Sequence, residues 1–480
     1  MAKSTYTDPK SVSWLNRGYP QVVITGVIAF CCPGFFNAMQ GLGGAGNANP
    51  SANDPANIAL YVCFAIFGYF GGFFFNLLGP RILMAAGGIL YAFYAAAAYI
   101  AGHVVGTGWL FVLAGALLGF GAGWLWTAQG ALMMAYAPEN RKGHYITTFW
   151  VIFNLGGFIG GILQFALNFD TESGTANAAS YFVFIAIMAV GAVMALFLLR
   201  EPSKVVLEDG SHAVMTPAKG VKQEFVDAAS VILDKNMILL LILFFGSNYF
   251  YTYVFNCVNG VLFTIRTRGL NSALYWLAQM FGAWCTGIIL DNTKFNLKTR
   301  GMQGFWFVFI CFNVIYGLGC YLQYGYMGGY DRYTNVVGDD EKLDFTDSKY
   351  WYPCIVYLLY GFGDSIVQTF SYWVMGAIAG ENASLAARYT GLYKGIQSIG
   401  AAISWTMDLP DLRVAYTTQF WICWGLFLAG MPTTFIACRG IGNSAASAEH
   451  ASTELVKDVS DEVISSNKSD DVAARGESSR

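Results

Sequence analysis

Charge is what this sequence has least of. Of its 480 residues only 12% are Asp, Glu, Lys or Arg, while 55% are hydrophobic. A soluble domain carries about 25% charged residues, so half that share excludes a water-exposed surface over most of the chain. The formal net charge of −3 leaves no basic excess, which argues against a nucleic-acid partner. Histidine is scarce too. His103, His144, His212 and His450 are scattered along the chain, so no metal cluster is visible and no cofactor is implied. The cysteines contain no CxxC pair, so neither a zinc site nor a disulfide framework is indicated. There is no GxxxxGK[ST] phosphate loop and no TVGYG filter, which argues against a transporter that hydrolyses ATP and against a potassium-channel pore. No enzyme signature is present.

Long apolar runs are abundant instead. A transmembrane helix needs roughly 20 mainly apolar residues. Twelve stretches qualify: 20–42, 57–78, 81–102, 108–136, 145–168, 180–200, 236–259, 271–290, 303–326, 351–376, 384–407 and 415–437. The tenth and eleventh are the most polar. The expected fold is an all-α polytopic membrane protein embedded in the lipid bilayer. Two six-helix halves, 20–200 and 236–437, flank a central loop, 201–235. Residues 1–19 are polar and precede a stretch long enough to act as an uncleaved anchor. The Ser-rich residues 438–480 cannot bury enough apolar surface to offset chain entropy and are expected to form a disordered tail. Lys and Arg concentrate in the segments that share a side with the N-terminus, whereas loops 43–56, 103–107 and 169–179 contain neither. By the positive-inside rule both termini are cytoplasmic. No segment names a particular membrane; plasma and vacuolar or endosomal membranes both remain open.

Two segments outside the spans allow alternatives. Val221–Leu233 places Val221, Phe225, Ala228, Ala229 and Ile232 at helical spacing, as an interfacial helix would; a solvated linker has the same composition. The loop 327–350 holds Asp331, Asp339, Asp340, Glu341, Asp344 and Asp347, either a cation site or a solvated surface.

Within the spans, Gly119, Gly121, Gly123 and Gly156, Gly157, Gly160, Gly161 form stripes that let helix backbones approach closely. Polar groups in lipid-spanning helices are costly unless paired or solvated by a cavity. Gln129, Asn154 and Asn256 are such groups, and together they suggest a central polar route. Asp364 and Gln368 lie four apart in the tenth stretch, Lys394 and Gln397 three apart in the eleventh, so each pair shares a helix face. The two stretches are sequential and antiparallel, which places Asp364 and Lys394 at similar depth. An unpaired charge there costs at least ~2.5 kcal/mol. Either the two form a structural salt bridge, or Asp364 binds a cation or proton with Lys394 modulating it.

Two loop segments add a family resemblance. Gly72-Phe-Phe-Phe-Asn76-Leu-Leu-Gly79-Pro-Arg81 and Gly287-Ile-Ile-Leu-Asp291, the latter followed by Lys294, Lys298 and Arg300, resemble the conformational loop motif of the major facilitator superfamily at matching places in both halves. The first copy has Asn76 where the superfamily usually has Asp. The arginine that many proton-coupled members carry in span four and the proline of the antiporter motif in span five are absent. Trp124-Leu-Trp-Thr-Ala-Gln129-Gly with Arg141-Lys-Gly-His, and the segment Gly361–Gly400, resemble the uncoordinated-93-like branch. The resemblance implies a secondary transporter of a small-molecule or ion substrate, working by alternating access. Alternatively, as for some animal members, it implies a non-transporting scaffold with a trafficking or channel-regulatory role and a membrane-protein partner.

Overall fold

The computed structural model describes residues 7–41, 50–138, 141–167, 169, 178–212, 220–380, 382–409 and 411–441. The expected disordered tail lies outside the described residues from 442 onward, as do 43–49 of loop 43–56 and 170–177 of loop 169–179. The architecture is helical, with only isolated β-bridges such as Phe263–Leu343 among the described residues.

In chain order the principal helices are α1 Gly18–Gly41, α2 Pro50–Tyr69, α3 Gly71–His103, α4 Gly108–Ala135, α5 Lys142–Leu167, α6 Ala178–Leu198, α7 Val221–Ser230, α8 Lys235–Gly246, α9 Ile265–Leu290, α10 Leu297–Tyr324, α11 Trp351–Ala379, α12 Ala383–Thr406 and α13 Tyr416–Gly440. By length and composition α1, α3, α4, α5, α6, α9, α10 and α13 are each apolar enough to cross a membrane. The remaining expected spans fall on helices that are more polar or broken. In α11 and α12 the cause is the polar cluster described below.

The breaks have local causes. Pro33 lacks an N–H, and α1 widens into a π turn at Phe30–Gly34 around it. The 33 residues of α3 would rise ~50 Å, but Gly79, at φ +75°, divides it into two limbs. Helical hydrogen bonds from Phe70 N–H to Ile66 O and from Phe74 N–H to Phe70 O carry the first limb on from α2. The second and third expected stretches, 57–78 and 81–102, therefore meet at Gly79. Span seven is the largest departure. After α8 the chain turns at Ser247–Phe250 and continues as a π segment, Tyr253–Gly260. The helix α7, continued by the turn Val231–Leu233, meets α8 at a 75° bend.

Most helix surfaces divide into a buried stripe and an apolar outer face, including Ile89, Val193, Phe281, Ile310 and Ile436. That is the distribution expected where the solvent is lipid. Two seams join the halves, α5 against α9 and α2 against α12. The glycine stripe of α5 serves two neighbours. A Cβ on Gly156 or Gly160 would strike Phe30 O or the Ala38 side chain of α1; one on Gly157 or Gly161 would strike Trp276 or the Ala273 backbone of α9.

Candidate functional site

Asp364 and Lys394 are both buried, at 1% and 3% exposure, and α11 and α12 carry them into one chamber between the halves. They do not pair directly. Asp364 accepts four hydrogen bonds from neutral donors: Tyr251 OH at 3.1 Å, Tyr275 OH at 3.0 Å and Gln279 Nε2 at 2.8 Å on Oδ2, and Gln368 Nε2 at 2.6 Å on Oδ1. Gln368 turns its other end to Lys394, whose Nζ donates to Gln368 Oε1 at 3.3 Å and to Gln397 Oε1 at 2.8 Å. The ammonium also lies 4.5 Å from the Trp126 ring centroid, 4.9 Å from that of Tyr393 and 5.4 Å from that of Tyr372. Cations over ring faces are stabilised by ~0.5–2 kcal/mol. Gln397 Nε2 donates in turn to Ser247 Oγ, Asn248 Oδ1 and Tyr393 OH. The break after α8 thus delivers Ser247, Asn248 and Tyr251 to the centre, as π and irregular segments often do at functional sites.

A cavity of about 50 Å³ opens beside this network. It is bounded by aromatic walls, among them Phe64, Trp126, Trp150 and Trp276, and by polar Asn248, Gln279, Gln368, Lys394 and Gln397. Both halves contribute. Gln129 lies one layer away, accepting from Tyr372 OH at 3.5 Å. Asn154 is fully buried, and neither of its side-chain polar atoms has a partner. Asn256 is not central. It donates to Asp408 Oδ2 at 2.8 Å, in a cluster where Asp408 also pairs with Arg332 and accepts from Gln419. Sequence reasoning missed Tyr275 and Gln279, although they lie four apart in α9 by the spacing that singled out Asp364 and Gln368. It also missed Asp408 and Glu224.

The loop motifs sit at the end of the bundle that carries the central loop. Asp291 accepts from Gly143 N–H at 2.7 Å and from His144 N–H, both at the start of α5, where free N–H groups and the helix dipole favour an anion. Burial pushes the Asp291 carboxyl up, against the pull of those two N–H groups. A Cβ on Gly143 would meet that carboxylate, and one on Gly287 would meet Thr147. The first copy is built differently. Asn76 Nδ2 donates to Glu224 Oε2 at 3.0 Å, and the same oxygen receives Arg388 Nη2 at 2.8 Å. A Cβ on Gly72 would strike the Arg388 backbone. Arg81 donates to Leu196 O. The Asn in place of Asp thus leaves Arg388 to a carboxylate from α7. Phe225 of the same helix is exposed and stacks on Phe70. Lys142 Nζ donates to Gly376 O and Gly380 O at the end of α11.

The opposite end is closed by other contacts. Asn259 Nδ2 donates to Gly41 O, and a Cβ on Gly41 would strike Ser272. The acidic loop 327–350 is engaged in pairing. Asp344 receives Arg266, Thr264 and Thr267, and Asp331 receives Thr417. Among the described residues no group of three His, Cys, Asp or Glu is placed to hold a metal ion.

Two halves joined around a central charged chamber define the major facilitator fold. The solved proton:xylose symporter XylE bound to 6-bromo-6-deoxy-D-glucose superposes at a TM-score of 0.56 with 12% identity, covering 88% of this chain and 94% of that one. Within that class the chain belongs to the UNC-93 family. The family model described as "Ion channel regulatory protein UNC-93" matches residues 54–410. UNC93-like protein 1 of Arabidopsis thaliana is 39% identical over 427 residues, covering 88% of this chain and 90% of its own. An UNC93-like protein of Schizosaccharomyces pombe is 39% identical over 412 residues, covering 86% and 80%.

Proposed function

We propose that the chain is a secondary transporter of a small polar or ionic solute, working by alternating access through twelve crossings. The observation that carries this reading is the chamber itself. It contains two buried charges, draws its wall from both halves, and is shut at the two ends by separate contacts between those halves. Asp364, Lys394, Gln368 and Gln397 are its charged and polar centre, with Gln129 and Asn154 behind it; Asn256 belongs to the cluster at the far end. The Lys and Arg distribution puts the central loop and both termini in the cytoplasm. No catalytic step is assigned to any residue.

The test is solute uptake or charge movement in proteoliposomes, with and without a pH gradient, comparing wild type with Asp364→Asn. A saturable signal lost in the folded variant supports the reading; normal uptake by the variant removes Asp364 from the mechanism. The family's description as ion channel regulatory favours a second reading, a scaffold for another membrane protein. A stoichiometric membrane partner that co-purifies with a protein silent in uptake would decide for it.

A further inference from the structure

The two buried charges are provided for unequally. Asp364 is surrounded by four neutral N–H and O–H donors, so its carboxylate is solvated by the protein and no cation is needed there. Lys394 forms no salt bridge among the described residues. Of its three N–H groups, two have amide oxygens, and around the third are ring faces. It borders the cavity, and so do Trp150 and Trp276. The indole N–H groups of both are buried without an acceptor. Burying a donor unpaired is costly, so the wall carries a surplus of donors, among them an ammonium with no carboxylate in direct contact. Among the fully buried atoms of the described wall residues one acceptor, Gln279 Oε1, is also unpaired. At ~10–15 Å³ per water, the 50 Å³ cavity has room for a few waters, or for a solute of a few heavy atoms.

We propose that this chamber binds a small organic monocarboxylate, with its carboxylate against Lys394 Nζ and within reach of the indole N–H donors, and its apolar body between the aromatic walls. The proposal rests on the transporter reading for the solute's route across the membrane, and stands apart from it for binding. A carboxylate supplies the acceptors this wall lacks. A neutral amide supplies fewer and leaves the ammonium without a carboxylate in contact, and an organic cation meets Lys394 with like charge. The unpaired Gln279 Oε1 is compatible with a water or a hydroxyl carried by the solute.

The experiment is isothermal titration of the purified full-length protein with acetate and propionate, against acetamide, ethylamine and chloride at matched concentrations. Saturable binding of a carboxylate is expected, with none of acetamide or ethylamine. Lys394→Gln should weaken carboxylate binding by roughly tenfold or more, since a hydrogen bond to a charged group contributes about 1.5–3 kcal/mol. Trp276→Phe and Trp150→Phe keep the charge and remove one donor each. They should weaken binding by several-fold, and they carry the test should Lys394→Gln fail to fold. The proposal is overturned by equal binding of acetamide and acetate, by ethylamine binding in their place, by chloride binding as tight as acetate, by undiminished binding in the variants, or by no carboxylate binding to protein that unfolds cooperatively. Carboxylate binding without uptake leaves the site standing and removes the transporter reading. Uptake of another solute without carboxylate binding does the reverse.

Discussion

At the level of single residues, the chamber separates charges that the helical spacing had suggested would meet. Asp364 lies among O–H and N–H donors, Lys394 among ring faces, and Gln368 spans the gap with its amide nitrogen on one and its oxygen on the other. The two environments are therefore not interchangeable. A carboxylate at position 394 would face the negative faces of Trp126, Tyr372 and Tyr393, and would lose the ~0.5–2 kcal/mol that a cation gains there. A lysine at position 364 would meet Tyr251, Tyr275 and Gln279, all of which now donate. The exchange Asp364→Lys with Lys394→Asp is thus expected to be no more stable than the worse single variant, by thermal unfolding in one detergent. A simple salt bridge would be rescued by the swap, and recovery to within about 0.5 kcal/mol of wild type, the scatter of additive sites, would contradict the bridged arrangement. Asp364, Gln368, Lys394 and Gln397 were legible because helical periodicity fixes a shared face. Tyr275 and Gln279 were equally legible by that rule but were passed over, since a tyrosine and an amide without a nearby charge look like ordinary helix contacts. Asn256 lies away from the chamber because the chain is not a straight helix after Gly246: it turns at 247–250 and continues as a π segment.

At the level of elements, the central helix α7 takes over part of a loop motif. In the second half Asp291 itself reaches the start of α5. In the first half Asn76 carries no charge, and Glu224 reaches in from α7 to pair with Arg388 of α12. Asp227 of α7 also lies 3.3 Å from that guanidinium, so a carboxylate restored by Asn76→Asp would add a third anion beside one cation. That variant is expected to loosen the loop end, and Asn76→Asp with Glu224→Gln to restore it, with a coupling of about 1–3 kcal/mol. Spin-label distances between α2 and α12 at that end would measure it; additive effects of the two changes would show that Asn76 and Glu224 do not share Arg388. The role of Glu224 was hidden in the sequence because a charge on an amphipathic helix looks like a solvated face. The inverse holds for the acidic loop, where Asp344 is tied to the start of α9. Burial alone would raise its carboxyl, but hydrogen bonds from Arg266, Thr346 and Thr264 outweigh it and hold the group well below the usual range. A carboxyl depressed in the folded state contributes stability above its unfolded value of 3.8 and loses it as pH falls below that value. Limited proteolysis of loop 327–350 should therefore quicken below about pH 4, and Asp344→Asn should show the faster cleavage already at neutral pH. Equal cleavage of wild type and variant at neutral pH would show that the tether does not hold the loop.

At the level of the whole molecule, the seams between the halves decide what can move. That the chain is an all-helical, polytopic membrane protein of the major facilitator type follows from its apolar runs and loop motifs, and that was legible. Which helices meet across the halves was not, because a glycine stripe announces a close approach without naming the neighbour. The structure divides the α5 stripe between α1 and α9, and the α5–α9 seam runs through both ends of the bundle. Near the loop end a Cβ on Gly287 would lie 3.3 Å from Thr147 Cβ; towards the other end a Cβ on Gly161 would lie 3.1 Å from Ala273 Cβ. Disulfides prefer Cβ separations of ~3.5–4.5 Å, so each pair needs the backbones to part by only a few tenths of an ångström. Cysteines at 147 and 287, or at 161 and 273, would each tie one end shut. If the halves rock about the chamber, either bond must stop solute turnover, because alternating access requires each end to open in its turn. Each oxidised variant is expected to lose uptake and to regain it on reduction, while a scaffold that uses only its outer surface would keep its partner in both states. Oxidised variants that transport at the wild-type rate, with cross-linking shown to be complete, would mean that this seam does not open and that the solute takes a path other than the one between the halves.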